Sequence, residues 1–187
     1  MRISEIDQMF VDTLRGADVL QPVNGHNIDQ SKGVILVACS DGNQLHDLFT
    51  TQVAIQKGQC ADPMIHFLGG HGGALKLAPH SPIVKSSRTT DIDLIDEINE
   101  AHDMKQTSTV VLYTHVPCGK AYSIDLNFMQ VISYQMAAKT RLRGLNPKLK
   151  LVCFTHVHHR DGRRRTYYIS REAWIRWEQS FNGQAAS

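Results

Sequence analysis

The sequence predicts an α/β fold with a central, mostly parallel β-sheet flanked by helices and ended by a C-terminal hairpin and helix. Three observations predict it. Continuous apolar runs at residues 33–39 and 109–114 read as strands buried on both faces. Segments with apolar residues at helical spacing alternate with those runs. Asp161-Gly162 sits between two β-rich runs and signals a hairpin turn.

The elements follow in order. Ile3, Ile6, Phe10 and Leu14 recur at helical spacing and predict an amphipathic helix over residues 3–15. The strand over 33–39 stops at Ser40-Asp41-Gly42-Asn43, residues that favour turns and helix caps. Leu45, Leu48, Phe49 and Val53 predict a helix that ends near Gly58. Residues 64–68 read as a second buried strand running into Gly69-Gly70-His71-Gly72-Gly73. Thr90 with Asp93 resembles a capping box opening a helix that carries Ile92, Ile95 and Ile98. After the strand over 109–114, Phe128, Val131, Ile132 and Met136 mark a helix stopped by Gly144 and Pro147. Residues 150–156 and 165–169 form the hairpin, and Ser170 caps a last helix burying Trp174, Trp177 and Phe181.

One domain is expected over residues 1–187, since domains commonly run to ~100–200 residues. Within it, 1–30 form an N-terminal helical arm, 33–169 the core and 170–187 the C-terminal helix. The chain has 42% hydrophobic and 20% charged residues, an ordinary balance for a globular protein. A formal charge of +2 predicts no nucleic-acid or membrane partner. No apolar run approaches the ~20 residues of a bilayer span, and the first residues lack the apolar region of a signal peptide. The expected compartment is the cytoplasm, where four cysteines are free thiols or metal ligands rather than a disulfide framework.

In parallel α/β sheets, ligands bind at the carboxyl ends of the strands. Two such ends finish in metal-ligating residues: Cys39 after one strand, His115 and Cys118 after another. Two thiolates and an imidazole suit tetrahedral zinc, and three protein ligands leave a fourth position for water or substrate. Each half alone is a weak signal. Their joint placement at strand-to-loop transitions makes the pattern specific.

Cys39-Ser40-Asp41 with His115-x-x-Cys118-Gly119 resembles the β-class carbonic anhydrases, whose motifs are Cys-x-Asp-x-Arg and His-x-x-Cys-Gly. The resemblance spans roughly residues 33–169. It implies that Cys39, His115 and Cys118 are zinc ligands and that Asp41 is a catalytic carboxylate, hydrogen-bonded to zinc-bound water or itself a fourth ligand. It also implies a substrate pocket including Asn43, Gly70, His71, Gly72 and Gly119, carbon dioxide or bicarbonate as substrate, and a homodimer or higher homo-oligomer. The implied reaction is reversible hydration of carbon dioxide by zinc-bound hydroxide. The N-terminal helix is available to pack on a partner subunit.

Two departures qualify that picture. Asn43 and Gly69 stand where the family carries arginines. A neutral Asn43 cannot hold Asp41 off the metal by charge, so Asp41 is expected to spend more time as a fourth zinc ligand. A related zinc hydrolase acting on carbonyl sulfide or carbon disulfide therefore stays open, as does a non-catalytic zinc protein closed by Asp41. His71 reads either as a proton shuttle or as a tolerated loop residue. Alternation places His156 and His158 on one exposed polar face with His159 opposite. Arg160, Arg163, Arg164 and Arg165 read as a solvated hairpin tip or a subunit contact, and Cys60 and Cys153 as spare thiols.

Overall fold

Branched apolar residues dominate four neighbouring strands that run parallel through the centre of the structure. The computed structural model describes residues 2–25, 28–85 and 87–185, the side chains of 182–185 excepted. In chain order the elements are α1 (Glu5–Gly16), β1 (Leu20–Pro22), β2 (Val34–Cys39), α2 (Gly42–Lys57), β3 (Ile65–Gly70) and a 3₁₀ turn (Gly73–Leu77). Then come α3 (Thr90–Lys105), β4 (Thr109–Val116), α4 (Gly119–Tyr122), α5 (Phe128–Leu145), β5 (Lys150–His158), β6 (Arg164–Ile169) and α6 (Arg171–Ala185). The six-stranded sheet has the order β1-β6-β5-β4-β2-β3. β3, β2, β4 and β5 are parallel, and β6 and β1 are added antiparallel. This is the expected α/β architecture with its mostly parallel sheet and C-terminal hairpin and helix. The last two residues of the expected C-terminal helix span lie outside the described residues.

Alternation splits the strands between two cores. Ile35, Val37, Val110, Leu112, Leu151 and Cys153 join apolar residues of α1, α3, α5 and α6 on one face. Val34, Leu36, Val111, Tyr113 and Phe154 pack on the other face with Leu48 and Ile55 of α2. That second face is partly polar, because α2 also buries Gln44, Gln52 and Gln56. Apolar spacing alone puts Leu45, Phe49 and Val53 inward, yet they are only half-buried. Two of the glutamines find partners inside: Gln56 Oε1 accepts the Met64 N–H at 2.7 Å, and Gln52 Oε1 accepts from Gln30 Nε2 at 3.1 Å.

Three further expectations are corrected. Residues 65–70 form an edge strand with one neighbour, so their side chains are mostly half-buried rather than buried. The N-cap of α3 is Thr89, one residue early, and its hydroxyl meets the Asp93 carboxylate at 3.3 Å instead of a backbone N–H. Ile92 and Phe181 point outward, each 50% exposed, while Ile95, Ile98 and Trp174 are buried.

Two buried polar side chains tie the helices to the strands that carry the site. Gln135 of α5 is fully buried; its Nε2 donates to Leu112 O at 2.8 Å on β4 and to Phe154 O at 2.9 Å on β5. Asp7 of α1 is 2% exposed, and its carboxylate accepts the Phe128 N–H and the Tyr122 O–H, both at 2.8 Å. Asp7 thus fixes the segment that follows Cys118. Among the described residues no helix is long and apolar enough to cross a membrane.

Removing that carboxylate leaves a buried N–H and hydroxyl unpaired. Asp7→Ala is expected to lower unfolding free energy by about 3 kcal/mol in urea titration. A change below about 0.5 kcal/mol would show that Asp7 is not a structural tie.

Candidate metal centre

β2 and β4 are neighbours, registered from Ile35 opposite Val110 to Val37 opposite Leu112. The pairing carries both chains to the same edge of the sheet. Cys39 is the last residue of β2, His115 lies near the end of β4, and Cys118 is the N-cap residue of α4. All three are buried, at 7%, 4% and 4% exposure. Their ligand atoms lie within 4.8 Å of one another. No other group of three or more His, Cys, Asp or Glu side chains able to hold a metal occurs among the described residues.

The cluster has the electrostatics of a ligand set. The Cys118 thiol donates to Cys39 Sγ, and this bond above all draws the Cys39 thiol down, helped by the nearby His115 ring and the Gly72 N–H. The same bond, with burial, pushes the Cys118 thiol up. Neither nitrogen of the buried His115 ring has a well-formed hydrogen bond. A buried imidazole without partners is costly in a closed protein and suited to a cation. Two thiols, one imidazole and free ring nitrogens fit a zinc ion.

The Gly-rich turn closes over this cluster because only glycine fits there. Gly72 has φ +79° and Gly73 φ +49°, and a Cβ on Gly73 would collide with the backbone of Ala38 and Cys39. The close approach brings the Gly72 N–H to Cys39.

A cleft of about 450 Å³ opens on the cluster, lined by Cys39, Ser40, Asp41, His71, Gly119 and Lys120. Of the expected site residues, the structure therefore brings Asp41, His71 and Gly119 onto the cleft wall. Asp41 is not in the metal cluster. It is the N-cap of α2, its Oδ1 accepting the Asn43 N–H at 3.0 Å and the Asn43 Nδ2–H at 3.2 Å. Asn43 is exposed and turned onto Asp41 rather than lining the cleft. Gly70 sits opposite Cys39 on β3 but opens on a neighbouring cleft with Lys76, Asp93 and Glu97. Gly72 serves through its backbone from beneath.

The expectation of an exposed histidine face on β5 is overturned. His156 is 3% exposed and stands in register with His115 on the neighbouring strand. Its Nδ1 lies 3.0 Å from Thr166 Oγ1, and its Nε2 lies 3.3 Å from Asp47 Oδ2 of α2. Arg164 Nη1 donates to the same Asp47 oxygen at 3.0 Å. Burial is the main reason the His156 ring is pulled down to about 4, partly opposed by Asp47. His159 is also buried, against the Tyr167 hydroxyl at 3.0 Å. A signal was present: Tyr-Thr-His-Val at 113–116 and Phe-Thr-His-Val at 154–157 repeat one pattern, and the two stretches pair residue for residue. Asp47 carries no such mark.

No protein-family model matches this chain, and no curated protein matches it in sequence. Solved structures do. The β-carbonic anhydrase CafD of the filamentous fungus Aspergillus fumigatus is 12% identical with a TM-score of 0.43, the match covering 81% of this chain and 99% of that one. A carbonic anhydrase from Streptococcus mutans is 16% identical with a TM-score of 0.45, covering 91% of this chain and 100% of that one.

Because His156 is neutral in the fold but titrates near 6.5 when unfolded, the unfolded chain binds more protons between these values. Stability of the metal-free protein is therefore expected to fall by about 3 kcal/mol as pH drops from 6.5 to 4. His156→Gln should flatten that slope in urea titrations across pH, and an unchanged slope would remove His156 as its source.

Proposed function

We propose that this chain is a zinc enzyme of carbonic anhydrase type, catalysing reversible hydration of carbon dioxide to bicarbonate. One observation carries the reading: Cys39, His115 and Cys118 meet within 4.8 Å at the carboxyl edge of a parallel sheet, beside an open cleft. The motif resemblance of Cys39-x-Asp41 and His115-x-x-Cys118-Gly119 supports it.

Cys39, His115 and Cys118 would hold the ion, leaving a fourth position on the cleft side. Zinc so held supplies Lewis acidity that activates water for addition to carbon dioxide. The chain's own groups do the rest. The Gly72 N–H steadies the Cys39 thiolate. His71, on the cleft wall, is placed to carry protons between cleft and solvent. Asp41 is engaged as a helix cap by two donors from Asn43, which favours an open fourth position over one closed by the carboxylate. Asn43 thus restrains Asp41 by hydrogen bonds where the resembled family uses charge.

The same proposal takes the chain as a cytoplasmic homodimer or higher homo-oligomer. Ile6 and Met9 on the outer face of α1, 64% and 65% exposed, are the side chains a partner subunit would cover.

Elemental analysis of the purified protein is expected to find about one zinc per chain, lost in Cys118→Ser. Stopped-flow assays should show carbon dioxide hydration in the wild type and buffer background in Cys118→Ser. Bound zinc with background rates at every pH would end the catalytic reading; absence of zinc would end the whole.

A further inference from the structure

We propose that Lys120 holds a small carboxylate-class monoanion, such as bicarbonate, in the cleft beside Cys39, His115 and Cys118, and that its charge sets the cleft's preference for an anionic ligand. The inference rests on the zinc reading above and extends it to a residue on which the motif resemblance is silent.

Charge makes the case. Two thiolates and a divalent ion sum to zero. Asp41 adds a negative charge on the cleft wall, so a bound anion meets net repulsion unless a cation stands beside it. Lys120 is the fixed cation among the six residues lining the cleft. It is also unspent. Arg141, Lys150, Arg160, Arg163 and Arg164 each pair with a carboxylate, whereas Lys120 makes no ion pair among the described residues. A half-buried lysine on the wall of an open cleft, outside the ion pairs of the described residues, is a ready anion partner.

Position and room agree. Lys120 follows Cys118-Gly119 directly, and its carbonyl accepts the Ser123 hydroxyl at 2.8 Å, fixing the α4 turn that presents it. At Gly119 a Cβ would meet no atom within 4 Å from outside its own turn, so this stretch of the cleft wall is open. At about 450 Å³ the cleft is far larger than carbon dioxide, so its size cannot select a substrate. Charge can. An ammonium is a compact point charge with three donors, which suits an anion free to rotate within a roomy site.

The test uses Co(II)-substituted full-length protein, with formate as the anionic probe and uncharged 1,2,4-triazole as the neutral one, followed by visible absorption. Lys120→Met is expected to weaken formate binding roughly tenfold or more while leaving triazole binding unchanged. Lys120→Arg should retain formate binding within a few-fold. Formate affinity that ignores Lys120→Met overturns the proposal. Equal weakening of both probes overturns it too, since Lys120 would then only shape the site. Metal content of the same samples separates the two levels: a loaded protein indifferent to Lys120→Met refutes the anion subsite alone, and a protein that takes up no metal refutes the zinc reading with it.

Discussion

Everything at the site depends on two sulfurs and an imidazole being held together out of water by strands that cannot move apart. β2 and β4 share a ladder, and the ends of both strands are buried on each side. Gln135 clamps β4 to β5 through two strand carbonyls, and Gly73 lets the following turn press onto Cys39. The fold is thus preorganised around a group of donors. Such crowding is unfavourable by itself: two thiol groups and an unpaired ring in a dry interior lose hydration without replacement. A divalent cation reverses the sign of that balance, so metal affinity and folding stability are linked through the same three side chains.

The two faces of the sheet divide the labour. The face under α1, α3, α5 and α6 carries the larger apolar cluster, with Gln135 and Asp7 as buried polar ties within it. The face under α2 is mixed, with buried glutamines above and the His156, Asp47, Arg164 and Thr166 group near the strand ends. His115 and His156 alternate onto this second face, beside Tyr113 and Phe154. This polar group therefore lies beside His115. Tyr113 extends the chain, its hydroxyl 2.8 Å from Thr166 Oγ1, and burial pushes its phenol above the ordinary range.

What could be read from the sequence follows from how local each signal is. The buried strands announce themselves as unbroken apolar runs, and Cys39, His115 and Cys118 stand where those runs end. The ligand set is legible because strand ends are a topological fixture of parallel sheets. β3 is not legible as an edge, because edge position is a fact about neighbours and not about its own residues. Asp47 and His156 are far apart in sequence and meet only once α2 has packed across β5. Alternation gave His156 a face but not the depth of that face. Lys120 lacked any mark beyond adjacency to Cys118 and Gly119; its place on the cleft wall with Cys39 and Asp41 is set by the fold.

Asn43 fixes the geometry of Asp41 without bringing a charge. A guanidinium would neutralise Asp41, whereas the Asn43 amide and backbone N–H fix Asp41 Oδ1 without altering its charge. The carboxylate stays oriented, and the cleft stays more negative than it would be beside an arginine. A carboxylate on the cleft wall disfavours anions at its mouth. Any anionic ligand of this chain must then find its counter-charge elsewhere on the wall, and on the wall the residue that can provide one is Lys120. The neutral Asn43 and the placement of that lysine are two sides of one electrostatic balance: the cation on the cleft wall stands on α4 rather than at the start of α2.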